Sequence, residues 1–247
     1  MARRRFFVPG IRRGTAELTG PDAEHLVRVL RVEPGQLFEI SDNQNAYLAQ
    51  IETARKSSVV FRITEPLPPP ESGVQITLLP ALFKFDSFEW MLEKATELGI
   101  VGLQPFEAVR SDRGLARAAE KRVVRWRKIA LEASQQSRRL HLPEVHSPIP
   151  FSQVLHREAE LHLLLDEDAG APPILSVLPS KRSPQARVAV LSGPEGGWID
   201  EERHAAHQAG WKSCSLGGTI LRAETAAISA FAILRAAWSW SLSKPAD

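Results

Sequence analysis

The sequence is poor in the residues on which several familiar site chemistries depend. One of its 247 residues is cysteine, Cys214. A lone cysteine excludes an intramolecular disulfide framework and fits a reducing, cytoplasmic setting. It lies in the alternating run WKSCSL (211–216), where a small buried or half-buried filler is expected rather than a nucleophile. No cluster of cysteine and histidine has ligand spacing, so no metal is expected. No apolar run approaches the roughly 18 residues of a membrane span, so no membrane role is expected. The start, MARRRFFVPG, has basic residues but neither an apolar stretch nor a small-residue cleavage site, so a secretory signal is not expected. The common nucleotide spellings are missing too. No G-x-G-x-x-G follows the first strand of an α/β run, and no glycine loop leads into Gly-Lys-Ser/Thr. In SGPEG (192–196) the serine precedes the glycines, so it is not a nucleophile elbow.

What is present is a globular composition, 43% hydrophobic and 24% charged, in a chain long enough for two ordinary domains. The net charge of +2 implies nothing about partners, but its distribution does. Residues 110–139 hold 10 Lys/Arg against 3 Asp/Glu, while 71–109 hold 2 against 6 and 140–247 hold 9 against 12. Such a window is either a solvated helix face or a polyanion footprint. Its richness in arginine suits phosphate contacts.

Residues 1–70 read as short strands around one helix. RFFV, TAELT, QLFEIS, AYLAQIE and VVFRIT are strand-like, and PDAEHLVRVLR (21–31) is a helix with Leu26, Val29 and Leu30 on one face. LPPPES (67–72) is a stiff linker. From 71 to 247 strands and helices alternate, which predicts an α/β domain with a largely parallel sheet. DSFEWMLEKATELG is a helix with Asp86 as a possible N-cap, and LARAAEKRVVRWRKIALEASQQSRR (115–139) is a long basic helix. Trp126, amid its arginines, reads as core. The last helix, ETAAISAFAILRAAWSWSL, is apolar on more than one face. It packs either on a partner copy or deep within one subunit.

Two glycine loops follow strands, at the edge of an open sheet where ligands sit. They are Ser192–Gly197 and Gly217–Gly218–Thr219. Either loop alone reads as a tight turn. Together, GPEGGW (193–198) and LGGTILRAETA (216–226) resemble the paired cofactor loops of the RsmE family, SPOUT-superfamily enzymes that methylate N3 of a uridine in bacterial 16S ribosomal RNA. RRFFVPG (4–10) with HLVRVLR (25–31) is similar to that family's PUA-like domain. EWMLEKATELGI (89–100) and RWRKIALEASQQSRR (125–139) extend the match along nearly the whole chain. Thr219, Arg138 and DNQNA (42–46) depart from it, standing where many members have a basic residue, a glycine and an Asp-Gly turn.

The resemblance implies a PUA-like β-barrel domain over 1–70 and a SPOUT domain over 71–247, with a C-terminal trefoil knot. It implies S-adenosylmethionine as cofactor, a homodimer, and the small ribosomal subunit's 16S RNA as partner. The cofactor would be held by Leu165, Leu191, Ser192, Gly193, Pro194, Glu195, Gly196, Gly197, Leu216, Gly217, Ile220, Leu221, Arg222, Thr225 and Ala226. Glu224 is a further hydrogen-bonding candidate. Loss of the uracil N3 proton spreads charge to O2 and O4, which a cation can stabilise. Arg222 is the first candidate, with a helix-terminus ion pair to Glu224 or Glu195 as its other reading. Arg139 is the second, and Glu195 has an open role near the cofactor. No base is identified. RNA contacts would come from Arg3, Arg4, Arg5, Arg28, Arg31, Arg110, Arg113, Arg125 and Arg138, with Arg117, Arg122 and Arg127 nearby. A non-catalytic RNA-binding or ribosome-assembly protein, or a SPOUT enzyme acting on another RNA, are the alternatives.

Overall fold

The computed structural model describes residues 4–69 and 73–242, with side chains described to residue 239. Two compact units result: Met1–Glu71 with Leu131–Leu142, and Ser72–Ala130 with Pro143–Asp247. Arg3 lies outside the described residues.

The first unit comprises β1 (Arg5–Phe7), β2 (Ile11–Arg12), β3 (Thr15–Thr19), α1 (Gly20–Arg28), β4 (Leu37–Ser41), β5 (Ala46–Arg55) and β6 (Ser58–Pro66). Its sheet runs β1-β4-β5-β6-β3-β2, antiparallel except for β1 on β4. Strand alternation sends Ala16 and Leu18 inward, against Phe6, Ile40, Ile51 and Phe61. Helix α1 starts with a proline in its first turn, where the missing N–H has no helical partner to lose. It buries Ala23 and Leu26 but ends at Arg28, short of the expected residue 31. Val29 is therefore 64% exposed rather than on the buried face. The chain leaves the helix through Arg31, at φ +50°.

Two departures from the family pattern have a backbone explanation. Asn43 adopts φ +68° in the β4–β5 turn, a conformation asparagine tolerates. Asp42 Oδ1 accepts from the amides of Gln44 and Asn45 there. Arg138 sits at φ +54°, where glycine would be unstrained. Its segment is tied to the β unit: Ser41 Oγ donates to Leu140 O at 2.7 Å, and Leu142 N donates to Asn43 Oδ1 at 2.7 Å.

The second unit comprises β7 (Gln75–Pro80), α2 (Phe85–Glu97), β8 (Gly102–Leu103), β9 (Phe106–Glu107), α3 (Leu115–Gln136, its end in the first unit), β10 (Glu144–Val145), β11 (Ile149–Pro150), α4 (Phe151–Val154), β12 (Leu161–Leu165), β13 (Arg187–Ser192), α5 (Asp200–Gln208), β14 (Lys212–Cys214) and α6 (Ala223–Leu242). Six strands form an all-parallel sheet, β10-β8-β7-β13-β12-β14, and β11 pairs with β9 separately. Helix α2 begins one residue before Asp86, so Lys84 is its N-cap and Asp86 lies in the first turn. Helix α3 stops at Gln136, before Arg138 and Arg139.

The central strands are covered on both faces, which is why they read as continuous apolar runs. One face carries Ile76, Leu78, Leu163, Leu165, Val188 and Val190 under α2, α3 and α6. The other carries Leu79, Leu164, Ala189 and Leu191 against Phe106, Trp198, Ala206 and Trp211. Trp126 is fully buried with its ring centroid 4.5 Å from that of Phe88, so it is core. Helix α6 buries Ala227, Ala230, Phe231, Leu234 and Trp238, one helical stripe, and leaves Ala232 and Ala236 exposed.

Candidate active site

Sheet register gathers the predicted loops at one edge. Leu79 pairs with Leu191 and Leu191 with Leu164, while Leu165 pairs with Cys214. The residues after β7, β12, β13 and β14 thus leave the same carboxyl edge of the sheet. Leu165, Leu191, Ser192 and Pro194 are buried, while Glu195 and Gly196 are exposed.

The three glycines of 193–197 are closely approached by the protein itself. A Cβ on Gly193 would lie 2.9 Å from the Trp198 indole nitrogen. On Gly196 it would lie 3.1 Å from Arg110 Cβ, and on Gly197, at φ +71°, it would run into the Glu167 carboxylate. Trp198 is 1% exposed, stacks on Phe106 at an interplanar angle of 8°, and donates from Nε1 to Leu165 O at 2.8 Å. Arg203, on α5, uses its fork on the same region. It donates to Asp166 Oδ1 at 3.0 Å, to Glu167 Oε1 at 3.0 Å and to Trp198 O at 3.0 Å. Buried Glu202 accepts from the amides of Val109 and Ile199. Trp198, Arg203, Asp166 and Glu202 escaped the sequence reading. The only signals were the tryptophan directly after the glycines and the two acids, Asp166 and Glu167, that follow the apolar run LHLLL (161–165).

The second loop is different. Cβ atoms on Gly217 and Gly218 would meet nothing within 4 Å. Ile220 is 87% exposed, a large apolar side chain beside bare backbone. Leu221, Thr225 and Ala226 are half-buried, and Leu216 and Ala226 touch the main core. Glu224, in the first turn of α6, is 7% exposed, and its Oε2 is buried without a hydrogen-bond partner among the described residues. A buried carboxylate oxygen left unpaired is costly, so it marks a place that accepts a donor. Arg222 is exposed and forms no ion pair among the described residues; Glu195 instead lies 3.8 Å from Lys84.

The candidate RNA arginines fall into two groups. Arg4, Arg31 and Arg113 are exposed without an acid partner among the described residues, and Arg28 lies 3.9 Å from Glu24. Others are engaged. Arg5 pairs with Glu39 at 2.9 Å and Arg138 approaches the same carboxylate at 3.7 Å. Arg125 and Arg122 hold Glu89, both at distances of 2.8–2.9 Å. Arg110 donates to Gly196 O. Arg139 belongs to the β unit, where its Nε donates to His141 O at 3.1 Å. Gly114, just before α3, and Arg117, Ala118, Lys121, Arg122 and Arg125 on it line a basic groove of about 530 Å³.

Burial sets the electrostatics. Burial raises the Glu89 carboxyl, but hydrogen bonds and charge from Arg125 and Arg122 outweigh it, and the group titrates below its usual range. Cys214 is fully buried, and burial, then the charge of Asp166, push its thiol up to about 12. It is a filler, as its strand position implies. Among the described residues no group of three or more His, Cys, Asp or Glu could hold a metal, and no helix is long and apolar enough to cross a membrane.

Known proteins share this arrangement. An RNA methyltransferase domain family matches residues 70–235, and an RNA methyltransferase PUA domain family matches residues 18–64. A protein of Synechocystis named ribosomal RNA small subunit methyltransferase E is 34% identical over 90% of this chain and 73% of its own length. The Bacillus subtilis protein of that name is 30% identical over 89% of each chain. The crystal structure of ribosomal RNA small subunit methyltransferase E from Neisseria gonorrhoeae bound to S-adenosyl methionine superposes with a TM-score of 0.85 at 29% identity, covering 96% of this chain and 98% of that one. A Legionella pneumophila protein in complex with the bound cofactor SAM does so with a TM-score of 0.86 at 30% identity, with the same coverage. The glycine loops at the edge of a parallel sheet, the PUA domain and these relatives agree: the chain belongs to the ribosomal RNA small subunit methyltransferase E family of RNA methyltransferases.

Proposed function

We propose that this protein methylates N3 of a uridine in the 16S RNA of the small ribosomal subunit, with S-adenosylmethionine as donor. The observation that carries the reading is the second loop. Open Gly217 and Gly218, exposed Ile220 and the unpartnered, buried Glu224 Oε2 lie within eight residues of the chain. That combination fits an adenosyl group, which needs an apolar face, main-chain hydrogen bonds and an acceptor for its N–H groups. Leu165, Leu191, Ser192–Gly197, Leu216, Gly217, Ile220, Leu221, Thr225 and Ala226 would hold it. When bound, S-adenosylmethionine supplies an electrophilic methyl group.

The chain's own residues orient and polarise. Arg222, exposed and without an acid partner among the described residues, is the cation for the charge that develops on uracil O2 and O4 as the N3 proton leaves. Arg139 is the second candidate for that role, and Glu195 borders the cofactor. The basic groove on α3, with Arg4, Arg28, Arg31 and Arg113, supplies phosphate contacts. The target base is unstacked to reach the loops. Domains over 1–70 and 71–247, a C-terminal trefoil knot, a homodimer and a cytoplasmic location complete the reading. A non-catalytic RNA binder has no use for paired glycine loops, and the relatives are methyltransferases.

Calorimetric titration with S-adenosylmethionine tests the cofactor half of the reading. Saturable binding is expected, and no heat at high micromolar cofactor contradicts it. Arg222→Ala should lower turnover by about 10²-fold with little change in cofactor affinity. Equal losses in both would reassign Arg222 to binding.

A further inference from the structure

The arginine-rich pattern puts Arg110 among the phosphate ligands, but its guanidinium, though exposed, lies along the first glycine loop. Nη1 donates to Gly196 O at 3.0 Å and approaches Trp198 O at 3.4 Å. The aliphatic stem lies where only glycine leaves room, since a Cβ at Gly196 would be 3.1 Å from Arg110 Cβ and 3.5 Å from its Cδ. The turn that carries Arg110 is itself fixed. Ser111 N donates to Ala108 O, Ser111 Oγ donates to Leu82 O at 2.8 Å, and Val109 N donates to Glu202 Oε1 at 2.9 Å. Glu202 also accepts from Ile199 N, on the far side of the loop. No acid partners the Arg110 guanidinium among the described residues, so its charge acts on carbonyl oxygens alone.

We propose that Arg110 is a positioning residue for the cofactor: it holds the Gly196–Trp198 backbone in the shape the cofactor binds and is not a phosphate ligand. The proposal rests on the reading that this loop holds S-adenosylmethionine. The loop is clamped from two sides. Arg203 holds Trp198 O from α5, within a cluster of Asp166, Glu167 and Asp200 that neutralises it. Arg110 holds Gly196 O from the opposite segment and has no such cluster. Removing Arg203 strips buried Asp166 of its charged partner and perturbs the fold. Removing exposed Arg110 releases one edge of the loop and leaves the core intact.

The experiment compares the full-length wild type with Arg110→Ala and Arg110→Lys. S-adenosylmethionine affinity is measured by calorimetry without RNA, 16S RNA binding against salt concentration, and thermal stability alongside. Loss of a charged hydrogen bond to the loop should weaken cofactor binding about tenfold in R110A. R110K should recover to within about threefold, because an ammonium can also donate to both carbonyls. The melting temperature and the salt slope of RNA binding should match the wild type, and the KM for the cofactor should rise with kcat retained. A cofactor affinity within twofold of wild type overturns the proposal. So does a salt slope reduced by about one, the signature of a lost phosphate contact. Failure of the wild type itself to bind S-adenosylmethionine would instead sink the functional reading.

Discussion

The indole Nε1 of Trp198 donates to the main-chain oxygen of Leu165 at 2.8 Å. This bond fastens the loop after β13 to the end of β12, two of the three segments assigned to the cofactor. It also explains Gly193, whose Cβ would collide with the same indole. Trp198→Phe keeps the ring stack on Phe106 and removes the donor. It should cost about 1 kcal/mol, whereas Trp198→Ala should cost about 3–5 kcal/mol. Urea unfolding checks both, and no loss in Trp198→Phe would show that the hydrogen bond contributes nothing beyond packing.

The glycines of the two loops should behave oppositely. Gly197→Ala places a Cβ against Glu167 at φ +71° and should destabilise the fold by about 1–2 kcal/mol or more. Gly218 lies outside the left-handed region with open space around it. Gly218→Ala should leave the melting temperature within about 1 °C and weaken cofactor binding, as expected if a ligand fills that space. Thermal melts and calorimetry on the two variants separate the roles.

Glu89 ties α2 to the basic helix through Arg122 and Arg125. Its folded pKa is lowered from 4.5, so its stabilisation is fully present above about that pH and is lost as pH falls through the folded value. Glu89→Gln should destabilise by about 2 kcal/mol at pH 7. The gap from wild type should close progressively below pH 4.5. Denaturant titrations between pH 3 and pH 7 read the difference, and a gap that widens in acid would contradict the assignment.

Cys214 should be silent in the folded protein. Its thiol is raised to about 12 by burial and the nearby Asp166, so it is neutral at pH 8. A disulfide reagent such as DTNB should give less than a tenth of a thiol equivalent in native buffer and one equivalent in denaturant. Rapid native labelling would place Cys214 at the surface.

Much of the fold was legible because the central strands and helices carry strong periodicity. TAELT and QLFEIS appear as strands within a residue of expectation. The short strands Gly102–Leu103, Phe106–Glu107, Glu144–Val145 and Ile149–Pro150 did not, because two residues hold no period. The helix ends were overrun for a related reason. Arg31 and Arg138 continue an apparent pattern where the backbone turns, and a left-handed φ leaves little trace in residue type unless glycine occupies it. The site was legible as glycine loops and not as their supports. Arg110, Asp166 and Arg203 act across 30 or more residues of sequence, and such contacts leave no local spacing to read.

The central claim is tested most directly by mapping the transferred methyl group. The protein is incubated with methyl-labelled S-adenosylmethionine and small ribosomal subunits from a strain lacking this enzyme, and the labelled nucleotide is located by mass spectrometry. About one methyl per subunit, on N3 of a single uridine of 16S RNA, is the result this account predicts. Label on a ribose, on a base carbon or on no RNA at all would contradict it.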